Sequence, residues 1–213
     1  MRRIQETIWK DFLPLSSAFT THEVAEAAEV RLPSASRDLA QLASEGIVVR
    51  VRRGLWVIPQ HPEFSPYVVV PRLFGSEEQG YVSLLSALNL HAMIEQIPQV
   101  IQVVTTRQRP RLRTPVGTYE FHQIQPDLFG GFAPYSAVGS FEIASPEKAV
   151  FDTLYISTRR GQRFAHLPEM ELPAGFSPKA VEEWIAKIDY EPHRAAVANR
   201  WDTHGHPHRK SRT

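Results

Sequence analysis

The chain has 213 residues, with 24 lysines and arginines against 23 aspartates and glutamates, so its net charge is +1, and 42% of its residues are hydrophobic. That content suffices for one large or two small packed domains and argues against wholesale disorder. Cysteine is absent, which excludes disulfides, thiolate zinc sites, iron–sulfur clusters and cysteine nucleophiles. No apolar run approaches the roughly 18–20 residues of a membrane span, and the N-terminus lacks the apolar stretch of a signal peptide, so a cytoplasmic protein without membrane contact is expected.

Residues 4–13 read as a first helix, with Ile4, Ile8 and Phe12 at helical spacing and Pro14 ending the run. Thr20 and Glu23 fit a capping box and start a second helix. Ser34 is the expected N-cap of a third, running to about Glu45 and closed by Gly46. On a wheel, Ala35, Leu39, Leu42 and Ala43 share one face, while Arg37, Gln41 and Ser44 lie opposite with Ser34 beside them. Short polar groups and one arginine suit a helix entering a DNA major groove, where arginine pairs with guanine and glutamine with adenine. Residues 47–51 and 55–58 read as the arms of a hairpin with Arg52, Arg53 and Gly54 at its turn. Three helices and a hairpin with a basic tip give a winged helix-turn-helix over 1–61, with the wing reaching phosphates or the minor groove.

Prolines at 59, 62, 66 and 71 mark 62–80 as a linker. A second domain, 81–200, is expected to be mixed α/β, which makes the chain α+β overall. Tyr81–Ile94 reads as a buried helix, and Val100–Val104 as a strand. Arg111–Arg113 and Thr118–Ile124 read as arms of a hairpin, and Phe141–Ile143 as a short strand. Ser145 caps a helix with Pro146 at its first position. Helices follow over 178–188 and near 192–201, then a flexible basic tail over 201–213.

Segmented, the +1 conceals strong separation. Residues 31–61 carry +3, residues 105–115 carry +4 and residues 193–213 carry +4, while 62–104 carry −3 and 116–192 carry −5. Basic patches on an acidic background are a footprint of phosphate binding. Enzyme motifs are weak. Ser145 and Lys148 match S-x-x-K without its companion motifs. His204, His206 and His208 lack neighbouring ligands, and there is no glycine-rich phosphate loop. No catalytic set, metal or cofactor is expected.

Several strings together resemble the AbiEi-type antitoxins: FTTHEVAEAAEV, SASRDLAQLASEGIVVRVRRGLWVIP, YVSLLSALNLHAMI, RTPVGTYEFHQI and IASPEKAVFDTLY. The likeness covers about residues 5–160. It implies a transcriptional repressor that binds inverted repeats in its own promoter and counteracts a neighbouring nucleotidyltransferase toxin, in a type IV arrangement where the two need not bind stably. It implies DNA contact by Ser34, Ser36, Arg37 and Gln41 on the third helix, and phosphate contact by Arg50, Arg52 and Arg53 on the wing. The strip Arg107, Arg109, Arg111 and Arg113 could extend the DNA track, carry antitoxicity or be a solvated loop. The alternative is a stand-alone regulator whose second domain senses a ligand or protein.

Overall fold

The computed structural model describes residues 2–12, 17–75, 77–137, 140–159 and 167–204. The chain is α+β, with a three-stranded antiparallel sheet and a six-stranded mixed sheet. It divides into two compact units. The first comprises Met1–Gln79, Leu112–Thr118 and Tyr135–Phe141, and the second is the remainder.

In the first unit, α1 (Arg2–Thr7) runs on as a π-helical turn over Ile8–Phe12. Strand β1 (Ala18–Thr20) leads into α2 (Thr21–Ala27), and α3 (Leu32–Ser44) precedes β2 (Val49–Arg52) and β3 (Leu55–Val57). The sheet order is β1-β3-β2, with Phe19 and Arg50 both in register with Trp56. The expected capping box is present at α2: Glu23 N–H donates to Thr20 Oγ1 at 3.2 Å and Thr20 N–H to Glu23 Oε2 at 2.6 Å. Ile4, Ile8, Phe19, Val24, Leu39, Leu42 and Trp56 form one core. Each fully buried aliphatic side chain there contributes about 1.5–3 kcal/mol.

Two local readings change. Helix α3 begins before Ser34: Arg31 is its N-cap, without a side-chain cap bond, and Pro33 lies in the first turn. Both Ser34 N–H and Ala35 N–H donate to the Arg31 carbonyl, so Ser34 sits inside the first turn. Proline, which lacks an N–H and has a helical φ, suits that place. Residues 66–73, expected within the 62–80 linker, form a 3-10 helix capped by Ser65, with Val68, Val69, Val70 and Leu73 buried. A run of four apolar side chains gains more by burial than by extension into water.

The six-stranded sheet has the order β6-β7-β5-β4-β9-β8. Its strands are β4 (Gly80–Val82), β5 (Ile101–Thr105), β6 (Leu112–Thr114), β7 (Gly117–Gln123), β8 (Phe132–Tyr135) and β9 (Phe141–Ala144). Strand β4 is antiparallel to β5 and parallel to β9, and β5 is parallel to β7. The stretch expected as one helix over 81–94 is therefore strand β4, then Ser83 as an extended N-cap, then α4 (Leu84–Leu90). Tyr81 and Val82 favour a pleated surface, and an apolar run alone does not separate strand from helix. Helix α5 (Pro146–Ser157) begins as expected: Ser145 Oγ accepts from Lys148 N–H at 3.1 Å, and every residue from Lys148 to Ser157 is buried. Helices α6 (Pro178–Ala186) and α7 (Glu191–His204) follow. Gly131 has φ +70, and an added Cβ would lie 2.9 Å from the Trp184 ring and 3.1 Å from the Lys148 side chain, so only glycine lets this backbone pass beneath them. Among the described residues, no helix is long and apolar enough to cross a membrane.

Candidate nucleic-acid interface

Helix α3 turns Ala35, Leu39 and Leu42 into the core of the first unit. Its outward face carries Pro33, Ser36, Arg37, Ala40, Gln41 and Ser44, all exposed, with Ser34 half-buried. Of the four residues expected to touch DNA, Ser36, Arg37 and Gln41 are thus presented to solvent and Ser34 is partly withdrawn. Gln41 Nε2 donates to Glu45 Oε1 at 2.9 Å, which orients the amide along the helix. Arg37 is the cation of this face, flanked by short side chains that let a partner approach the backbone closely.

The hairpin places Arg50, Arg52 and Arg53 outward while Val51, Leu55, Trp56 and Val57 are buried. Gly54, at φ +79, supplies the left-handed residue of its two-residue turn. The ladder shifts register between Arg50 and Arg52, which raises the local twist at the tip. Arg50 lies 5.7 Å from the centroid of Trp56, its cross-strand partner, and Trp56 Nε1 donates to Thr21 Oγ1 at 2.8 Å. The anchor of α2 and the shelf beneath Arg50 are thus one buried indole. Arg52 donates to the Arg72 carbonyl at 2.9 Å, and Arg72 pairs with Glu23 Oε1 at 2.5 Å. This chain ties the hairpin, the 66–73 helix and the start of α2 together.

Glu23 is the hinge of that arrangement. Burial pushes its carboxyl up, but the Thr20 N–H and the Arg72 guanidinium outweigh it and hold the group below the usual carboxylate range. A depressed folded value means that the native state holds the proton less tightly than the unfolded chain. The stability Glu23 contributes is therefore complete above the usual carboxylate range and is lost as pH falls through its folded value. Glu23→Gln is expected to lower the melting temperature by a few degrees at neutral pH. The gap to the parent should narrow on acidification, read by thermal melts across pH; a gap independent of pH would remove Glu23 from this role.

The second basic strip is also displayed. Arg107 and Arg111 are exposed, Arg109 is half-buried with its guanidinium 5.4 Å from the Phe121 centroid, and Arg113 is exposed on β6. Arg107, Arg109 and Arg111 belong to the second unit, and Arg113 to the short 112–118 piece of the first.

One cluster escaped sequence reasoning. Lys148 and Asp152, one turn apart in α5, form an ion pair at 0% exposure. Asp152 Oδ2 also accepts from Tyr81 Oη at 3.0 Å and Ser83 Oγ at 2.7 Å. Lys148 Nζ lies 4.7 Å from the ring centroids of both Phe151 and Trp184. Burial raises Asp152 above the usual carboxylate range and holds Lys148 below the usual lysine range. The available signal was the K-x-x-x-D spacing inside an otherwise apolar helix, which puts both charges on one buried face. Lys148, the lysine of the S-x-x-K match, directs its ammonium to Asp152, while Ser145 acts as a helix cap. His91 Nε2 lies 2.7 Å from the Ala144 carbonyl oxygen. The tail histidines 206 and 208 lie outside the described residues, and the side chain of His204 is not described.

No protein-family model matches this sequence, and no curated protein matches it.

Proposed function

We propose that this chain is a DNA-binding transcriptional repressor with a winged helix-turn-helix in its first unit, and that it serves as the antitoxin of a nucleotidyltransferase toxin. The observation that carries the DNA reading is the pairing, in one compact unit, of an outward α3 face centred on Arg37 with a hairpin bearing Arg50, Arg52 and Arg53. In this reading α2 supports, α3 enters the major groove and the hairpin grips phosphates. The turn between α2 and α3 is short. It closes through Val30 N–H donating to the Ala25 carbonyl, with Glu29 in the left-handed region at φ 52. Such a turn suits two helices meeting at a steep angle. The antitoxin assignment rests on the likeness of the RTPVGTYEFHQI and IASPEKAVFDTLY strings to the AbiEi type.

The test is a mobility-shift titration with the DNA upstream of the chain's own gene. The parent is expected to prefer this duplex over a shuffled one. Arg37→Ala is expected to lose about 1–3 kcal/mol of binding and most of that preference, because a bidentate base contact discriminates by that amount. Equal affinity for both duplexes, or no loss in the variant, would overturn the repressor reading. Antitoxicity is scored separately, as rescue of growth on co-expression with the product of the adjacent gene. Failure to rescue would leave a regulator without a toxin.

A further inference from the structure

We propose that the second unit carries its own contact for a single-stranded nucleic-acid backbone, built from Arg107, Arg109, Arg111 and Arg159. The inference does not rest on the reading of the first unit. Segment 106–111 leaves the end of β5, and residues 108–111 are neither helix nor strand. It places arginine at every second position, with no carboxylate between residues 105 and 115. The structure adds a fourth guanidinium that sequence order concealed. Thr105 is in register with Gln123 at the end of β7, and Gln123 Nε2 donates to the Thr106 carbonyl at 3.1 Å. Arg159, just beyond α5, donates to the Gln123 carbonyl at 2.6 Å. The end of α5 is thereby fastened to the same corner from which the arginine segment departs.

Two of these cations rest on aromatic rings: Arg109 lies 5.4 Å from the Phe121 centroid and Arg159 4.6 Å from that of Tyr155. A guanidinium held on a ring is a flat, oriented donor that can take a phosphate on its edge and a base on its face. Tyr155 is buried and Phe121 half-buried, so the rings hold the guanidiniums and leave the guanidinium planes to stack bases, which suits a sequence-tolerant single-strand contact. Duplex readout calls instead for a helix or ribbon that enters a groove, whereas residues 108–111, which carry Arg109 and Arg111, are neither helix nor strand. A protein partner fits less well. Protein hot spots combine arginine with large aromatic anchors such as Trp and Tyr. Among the described residues, the large exposed hydrophobic ones are Trp9, Leu32, Ile97 and Tyr190, none of them in this segment. Regularly repeated cations suit a regularly repeated anion.

The experiment uses the full chain carrying Arg37→Ala, Arg50→Ala, Arg52→Ala and Arg53→Ala, so that duplex binding through both α3 and the hairpin is weakened. Fluorescence anisotropy follows labelled uridine and thymidine homopolymers of roughly 20 nucleotides, longer than the ~4–16 nucleotides of a small single-strand domain. A duplex of arbitrary sequence and polyglutamate serve as rivals. The single strands are expected to bind. Adding Arg107→Ala, Arg109→Ala and Arg111→Ala should weaken them at least tenfold and flatten the log–log salt dependence by about 2, at ~0.7 per lost phosphate contact. Replacing the three by lysine should keep the salt slope yet weaken binding, because lysine restores charge without the planar stack. Undiminished single-strand binding in the alanine variant would overturn the proposal. So would preference for the duplex, or for polyglutamate.

Discussion

Asp152→Ala is expected to be the most damaging single substitution in the second unit, costing about 3–5 kcal/mol, the range found when one partner of a buried ion pair is removed. Both Lys148 and Asp152 are fully enclosed, and the Asp152 carboxylate is the acceptor for Lys148, Tyr81 and Ser83 together. Its loss leaves an ammonium among Phe151, Trp184 and Tyr81 and two hydroxyls on β4 and the β4–α4 junction without their acceptor. Lys148→Met should cost less. It removes one donor but leaves the carboxyl with its two hydroxyl partners, and burial already favours the protonated acid at Asp152. The ranking is read by thermal melts at neutral pH, with a fall in melting temperature on the order of 10 °C expected for Asp152→Ala. Equal effects from the two substitutions, or a shift of only a degree or two for Asp152→Ala, would show that the pair does not hold the unit together.

The same cluster shows where the sequence is legible and where it is not. Local signals translate well: Thr20 and Glu23 form the capping box, Ser145 and Pro146 open α5, and Arg53-Gly54 makes the hairpin turn, because each depends on residues within a few positions. Element type in the apolar run at 81–94 is not local. Tyr81 and Val82 become a strand because β5 and β9 lie on either side of them, and those partners are about 20 and 60 residues away. Helix α3 starts ahead of Ser34, although serine is the commoner cap, because Pro33 already fixes the first turn. The site divides likewise. Exposure of Ser36, Arg37, Gln41, Arg50 and Arg53 follows from periodicity. The tie from Arg52 through Arg72 to Glu23, and that from Arg159 through Gln123 to Thr106, join residues with no sequence relation. Lys148–Asp152 had a local spacing, but only burial on all sides gives that spacing meaning.

Simultaneous Arg50→Ala, Arg52→Ala and Arg53→Ala is expected to weaken binding to every duplex alike, in contrast to Arg37→Ala. Three phosphate contacts at about 1 kcal/mol each amount to a loss on the order of 100-fold. The log–log salt dependence should flatten by about 2.7, at ~0.9 per lost contact to duplex DNA. The preference for the upstream duplex over a shuffled one should survive, because phosphate contacts position the protein without reading sequence. Within the set the three are not equivalent. Arg50 is carried on the Trp56 ring and Arg53 stands at the tip beside Gly54, whereas Arg52 already donates to the Arg72 carbonyl. Arg52→Ala alone should therefore lower the melting temperature of the first unit, while Arg53→Ala should lower affinity and leave the melt unchanged. Salt titrations of binding and thermal melts on the same single variants separate the two effects. If the triple variant kept the parent's salt slope, the hairpin would not be a phosphate contact, whatever its arginine content.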